Sequence, residues 1–289
     1  MLVTMKEMLR DAQKNRYAIP AFDVSNYEMM KAALDACEAE RSPALLMGLG
    51  VDLRGKAMRL MASMVSSASD VYDIPVCFHL DHADSFEMIQ AAVSAGFSSV
   101  MYDGSNLPLE ENMRNTAEVV RFAHSRGVTV EAELGHVGNA AVGNVNDSRE
   151  NENPEDTLTD PADVARFVGE TNVDALAVAI GTAHGVYQKT PFLRIDRLDG
   201  ITAVCDRPLV LHGGSGTPDE QIKRAIRHGI AKINIYSDVV SALNRELKNS
   251  LNRITNPATW PAYAFEDART AMREIVRAKI RAFGCGGRT

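Results

Sequence analysis

Cysteine is scarce, and the four present, Cys37, Cys77, Cys205 and Cys285, stand far apart with no CxxC pair. That spacing suggests neither a zinc ribbon nor a disulfide framework. Three of them read as ordinary small core residues. Positive charge is also short: 31 Lys and Arg face 38 Asp and Glu, for a net charge of -7, and no basic stripe runs along the chain. Binding a phosphate backbone needs such a stripe, so nucleic acid is not an expected partner, and a small anion would need a local site.

Long apolar runs are missing too. No window approaches the roughly 20 apolar residues of a membrane span, and the start MLVTMKEMLRDAQKNRYAIPAF has no apolar core followed by a small-residue cleavage site. No membrane partner and a cytoplasmic location are expected. The last absence is a GxGxxG turn after the first strand, where AFDVSNYE has no glycine, which removes the usual cofactor of an open nucleotide-binding sheet.

What is present is repetition. Eight short runs rich in Val, Ile and Ala recur: YAIPAFDV, PALLMG, IPVCFHLD, SSVMYDG, VTVEAEL, DALAVAI, RPLVLHGG and IAKINIYS. Between them apolar residues fall at helical intervals, as at Phe86, Ile89 and Val93 or Ile222, Ala225 and Ile226. Strands alternating with helices imply parallel pairing. Near-continuous apolar strands, eight in number, favour an α/β fold of one closed (β/α)8 TIM barrel over an open doubly wound sheet, and about 250 residues is the usual size of that barrel.

Residues 1–289 are therefore expected to form a single barrel domain. One connection, about 135–160, is long and rich in Asn, Gly, Asp and Glu, the pattern of a mobile lid or binding loop. The tail, about 260–284, predicts a C-terminal helical extension with Ala268, Ala271, Ile275 and Ala278 on one face, packing across the barrel or against a neighbouring subunit.

In a parallel barrel, chemistry gathers where strands end and the following loops begin. The polar residues there are Asp23, His79, Asp81, His82, Asp103, Glu131, Glu133, His184, His212 and Asn234. Four of the seven histidines share that rim. His124, His136 and His228 have ordinary readings as solvated or capping residues. A single histidine at a strand end is commonly structural, but several on separate strands suit a borderline cation with an open coordination position. His82, His184 and His212 form the candidate ligand set. Glu133 is a fourth or alternate ligand, or a partner that orients a histidine. His79 is supporting, and Asp84 marks a helix start.

Two glycine-rich stretches, GTAHG and HGGSG, lie on the same rim. Gly213 and Gly214 let backbone N–H groups approach an anion, with Ser215 as a hydroxyl donor, although a tight strand-to-helix turn would look the same. Asn234 and Ser237, at the end of the eighth strand, reach toward the same place, where barrels often bind phosphate.

Taken together, YAIPAFDVSNYE, HLDHAD, VEAELG, AVAIGTAHGVYQKTP, LVLHGGSG and KINIYSD resemble, in order and spacing, the zinc-dependent class II fructose-bisphosphate/tagatose-bisphosphate aldolases, from about Tyr17 to Asp238. The resemblance implies one catalytic Zn²⁺ on His82, His184 and His212, with Glu133 in the metal site. It implies Asp81 as the acid/base for the substrate C4 hydroxyl. Gly185, Gly213, Gly214, Ser215, Asn234 and Ser237 would hold the dihydroxyacetone phosphate half, with His79, Lys189 and Asp23 supporting and a monovalent cation near the phosphate. The expected partner is a phosphorylated sugar, and the expected assembly a homodimer or homotetramer.

Three departures stand out. GHVGNAAVGN lacks the acid that such enzymes carry in the mobile loop, leaving Asp147, Glu150 or Glu152 as replacements. Asp23 stands where Asn is more usual, and Tyr236 where a small or acidic residue is. They favour, as a second reading, an aldolase for a different phosphorylated or anionic ketose. Other mechanisms weighed are a Schiff-base aldolase on Lys232, a metal-dependent hydrolase and a non-catalytic subunit.

Overall fold

A computed structural model describes residues 1–138 and 157–289. Eight parallel strands close into a barrel in chain order, β1 through β8, with β8 pairing back onto β1. They are β1 (Ile19–Asp23), β2 (Ala44–Leu49), β3 (Val76–Ala83), β4 (Ser99–Tyr102), β5 (Thr129–Leu134), β6 (Ala175–Val178), β7 (Leu209–Leu211) and β8 (Ile230–Ile235). The eight apolar runs in the sequence are these strands. Almost every strand residue is buried, because helices cover the outer face and side chains fill the inside.

The helices are α1 (Met5–Asn15), α2 (Tyr27–Ala39), α3 (Ala57–Val71), α4 (Phe86–Ala95), α5 (Leu109–His124) and α6 (Pro161–Thr171). They continue as α7 (Ile195–Val204), α8 (Asp219–Arg227), α9 (Ser237–Arg253), α10 (Pro261–Ala264) and α11 (Glu266–Phe283). Local chemistry sets several ends. Asn26 accepts from Met29 N at 3.0 Å to start α2, and Asp160 accepts from Ala162 N at 2.9 Å to start α6, with Pro161 in the first turn. Helix α4 is preceded by Ser85, which makes no side-chain cap, so Asp84 lies one position outside the expected start. Helix α1 packs on β1 and β8, and Met5 touches Ser99 at the start of β4, so α1 covers the end where strands begin.

The C-terminal extension is present as α10 and α11. Helix α11 packs against α2 and α9 of its own barrel. Its buried face is Ala268, Met272, Val276, Ile280 and Phe283, whereas Ala278 is exposed and Ala271 and Ile275 are only partly covered. The expected alanine face is thus displaced by one position, because the larger side chains at i, i+4 spacing bury more apolar area. Glu40 ties Arg277 and Arg281 to the end of α2, each at 2.7 Å. All four cysteines are free and buried. Among the described residues no helix is long and apolar enough to cross a membrane.

Candidate active site

The three candidate ligand histidines converge. His82 comes from β3, His184 from the loop after β6 and His212 from the end of β7. Their ring centroids lie 5.0 Å (His82–His184), 4.7 Å (His82–His212) and 5.7 Å (His184–His212) apart. One nitrogen from each lies within 4.8 Å of the others, close enough to share an ion. Strict strand alternation would send Asp81 and His82 to opposite faces. His82 instead has φ 49, and the β3–β4 register shifts between Leu80 and Ala83. That irregularity leaves both side chains on the site side, with His82 Nε2 3.9 Å from Asp81 Oδ2.

Each ring is aimed by a partner. Asp103, at the end of β4, meets His82 Nδ1 at 2.8 Å, which points Nε2 inward. His212 bonds Glu131 through Nε2 at 2.9 Å, leaving Nδ1 toward the site. Glu131 is in turn paired with Lys232 at 2.7 Å, both fully buried. His184 is fixed through its backbone, whose N–H donates to Gly138 O at 2.8 Å. Asp103 was on the rim by sequence but carried no role. Glu131 and His79 sit deeper than expected, enclosed in the barrel, where His79 Nδ1 bonds Ser99 Oγ at 2.7 Å.

Charge in this cluster is distributed unevenly. Burial alone would lower the His82 pKa, yet Asp81 and Asp103 raise it to about 10. Burial and the neighbouring rings lower His184 to about 3 and hold His212 well below its ordinary value. Burial, reinforced by Asp103, pushes Glu133 up to about 8. Among the described residues, two buried polar atoms in the cluster have no hydrogen-bond partner: His184 Nε2 and Glu133 Oε2. Unsatisfied buried groups of this kind are uncommon, and both atoms are metal-ligand types. A second trio, His82, Asp103 and Glu133, also approaches within 4.8 Å. The donor set therefore fits a divalent metal with neutral imidazole ligands and a carboxylate nearby.

Asp81 is buried beside this cluster, and Asn234 of β8 donates to its Oδ1 at 3.2 Å. One carboxylate oxygen is thereby anchored, and the other faces His82.

The glycine-rich loop after β7 lies between this cluster and the start of α9. Gly213 has φ 66, and a Cβ there would come within 2.4 Å of Ala183 O. A Cβ on Gly214 would meet Ile233 at 2.4 Å. Only glycine leaves the backbone this close to its neighbours. Tyr187 clamps the two loops together, accepting from Ala183 N at 2.8 Å and donating to Gly213 O at 2.9 Å. Ser215 Oγ accepts from Tyr236 N at 3.2 Å and Asp238 N at 3.3 Å, capping the start of α9. Gly185 follows His184 in the loop after β6, and Ser237 is the first residue of α9. Lys189 is exposed in the loop after β6, away from any ion pair among the described residues.

Asp23 ends β1 and is buried; burial and the nearby Asp81 push its carboxyl well above the ordinary range. The three remaining histidines lie elsewhere. His124 bonds the buried Asp174 at 2.7 Å, so it is an ion-pair residue rather than a solvated one. His228 pairs with Asp199, and His136 approaches Ser105 at 3.2 Å. Asp147, Glu150 and Glu152 lie outside the described residues. Tyr187 and Glu131 were given no role from sequence. A tyrosine three residues after a loop histidine carries no motif, and Glu131 is recognised only once its side chain is seen to reach His212.

Comparison with known proteins gives the family. Among solved structures, the YdjI aldolase of Escherichia coli K12 shares 34% identity at a TM-score of 0.87, over 100% of this chain and 99% of that one. A candidate fructose-1,6-biphosphate aldolase from Coccidioides immitis shares 30% identity at 0.87, over 98% and 97%. A fructose-bisphosphate aldolase from Campylobacter jejuni, 21% identical with a TM-score of 0.83 over 100% and 97%, shares the fold. The family model described as Fructose-bisphosphate aldolase class-II matches residues 3–288, and with that coverage the chain belongs to the class II fructose-bisphosphate aldolase family.

Proposed function

We propose that this protein is a Zn²⁺-dependent aldolase that reversibly cleaves a phosphorylated ketose to dihydroxyacetone phosphate and an aldehyde. The observation that carries the reading is the convergence of His82, His184 and His212 beside a buried, anchored Asp81, next to the glycine loop after β7. These three histidines, with Glu133 beside them, would hold the ion. When bound, it supplies Lewis-acid polarisation of the substrate ketone.

The chain's own groups supply the rest. Backbone N–H groups of the 213–216 loop, other than that of Gly214, which donates to Asn234 O at 3.1 Å, would receive the phosphate with the Ser215 hydroxyl and the start of α9. Gly185 and Ser237 border it. Asp81 accepts the C4 hydroxyl proton as the C3–C4 bond breaks, so that the new carbonyl forms at C4 and the electron pair stays on the three-carbon half. Asn234 holds that carboxylate in place. Asp103, Glu131 and Lys232 keep the imidazole rings in orientation.

Lys232 is not available for a Schiff base, because it is fully buried and engaged by Glu131. A hydrolase on this barrel would have no use for the glycine loop beside Asn234.

The test is cleavage of fructose and tagatose bisphosphates, and condensation of dihydroxyacetone phosphate with a panel of aldehydes, with and without chelator. Activity should disappear with EDTA, return with Zn²⁺ and leave no adduct with borohydride. A borohydride-trapped lysine, or a metal-loaded protein inert in both directions, would sink the proposal. Sedimentation of the same sample reads the homodimer or homotetramer expected for it.

A further inference from the structure

A second group of polar residues lines the rim on the β1–β2 side, and the roles above leave it unused. Asp23 ends β1, Ser25 follows it, Asp52 lies in the loop after β2, and Tyr236 sits in the turn from β8 into α9. Strand register pairs Ala21 with Asn234 and Phe22 with Ile235, so the ends of β1 and β8 deliver Asp23 and Tyr236 to adjacent positions. Ser25 donates to Asp52 Oδ2 at 2.6 Å. Burial raises the Tyr236 phenol pKa, and the charges of Asp52 and Asp23 push it the same way, which places the ring among these carboxylates. Asp81 and Asn234 form the border with the metal side. Among the described residues, no lysine or arginine forms an ion pair with Asp23, Asp52 or Asp81.

Among the described residues, two buried atoms here lack a partner, Asp23 Oδ1 and Asn234 Oδ1. Both are acceptors. Leaving a buried acceptor without a donor costs about 1–3 kcal/mol, so a ligand that brings O–H groups gains here. A phosphate brings only acceptor oxygens to acceptors that already lack donors, and a negative charge beside the Asp52 and Asp81 carboxylates. A sugar hydroxyl brings a donor and no charge.

We infer that this pocket binds the uncharged, hydroxyl-bearing end of the aldehyde partner, so that the substrate is a ketose with one phosphate, held at the β7–β8 loops, rather than a bisphosphate. The inference rests on the aldolase reading. With phosphate in the glycine loop and Asp81 at the C4 hydroxyl, the carbons beyond C4 run toward Asp23 and Tyr236. A cation trapped among the carboxylates would also satisfy the acceptors, but it would draw a second phosphate in rather than turn it away.

The experiment is condensation of dihydroxyacetone phosphate by the Zn²⁺-loaded protein with glyceraldehyde, its four-carbon hydroxyaldehyde homologues and glyceraldehyde 3-phosphate. The uncharged aldehydes should show kcat/KM at least about tenfold higher than the phosphorylated one, the scale expected of like-charge repulsion. Replacing Asp23→Asn and Asp52→Asn together, or Asp52→Asn alone should the double variant not fold, should shrink that preference by about tenfold. Preference for glyceraldehyde 3-phosphate leaves the aldolase reading standing and overturns the inference, as does a preference unchanged in the folded variants. Absence of condensation with every aldehyde overturns both.

Discussion

His82 Nε2 lies 3.0 Å from His212 Nδ1, although the residues are 130 positions apart and their strands, β3 and β7, are not neighbours in the barrel. With Glu131 accepting from His212 Nε2 and Asp103 from His82 Nδ1, the two nitrogens that face each other are the ones left with lone pairs for a shared cation. Against the effect of burial, the carboxylates of Asp81 and Asp103 also favour a protonated His82, raising its pKa to about 10.

Metal binding should therefore be driven by alkali. A ligand must shed its proton to coordinate, so affinity rises with pH until the ligand's own pKa is passed. With His82 near 10, Zn²⁺ affinity should increase by about tenfold per unit between pH 6.5 and 8.5, and more steeply below pH 8 where Glu133 also ligates. Titration calorimetry in buffers of different ionisation enthalpy checks this, since at least one proton should be released per ion. Affinity flat across that range, with no proton released, would show that His82 is not a ligand.

Asp81 and His212 should fail differently. Asp81→Ala removes a group beside the ion but not on it, so Zn²⁺ should still bind stoichiometrically while turnover falls by at least about 100-fold, the lower range for lost acid/base catalysis. His212→Ala should lose both ion and turnover. Metal analysis beside steady-state kinetics separates the two outcomes. Loss of Zn²⁺ from Asp81→Ala would make that residue a structural one.

Gly213→Ala tests the glycine loop. The new methyl meets Ala183 O at 2.4 Å, on a residue with φ 66, so the loop must shift. Strain of about 1–3 kcal/mol is expected, seen as a lower urea midpoint. The KM for dihydroxyacetone phosphate should rise more than kcat falls, because phosphate-binding N–H groups move while Asp81 and the histidines stay in place. An unchanged KM in a folded variant would remove this loop from phosphate binding.

Sequence alone determined the number and order of the strands, because residues buried on both faces must be apolar along their whole length and the eight runs stand out for that reason. It also determined that His82, His212, Asp81 and Asn234 lie at strand ends and His184 in the loop after the sixth strand, since that follows from where each run stops. Only tertiary structure decided how those side chains turn and what holds them. The positive φ at His82 overrides the alternation that would send it away from Asp81. Asp103 and Glu131 became ring-orienting partners, and Asp23 and Tyr236 came to adjacent strand ends, through barrel closure and strand register. Helix α11 buried Ala268 as expected but Met272, Val276 and Ile280 in place of Ala271, Ile275 and Ala278, because these are the positions turned to α2 and α9. Periodicity along a chain reports burial. Contact between strands 130 residues apart depends on closure and register, which no local pattern encodes.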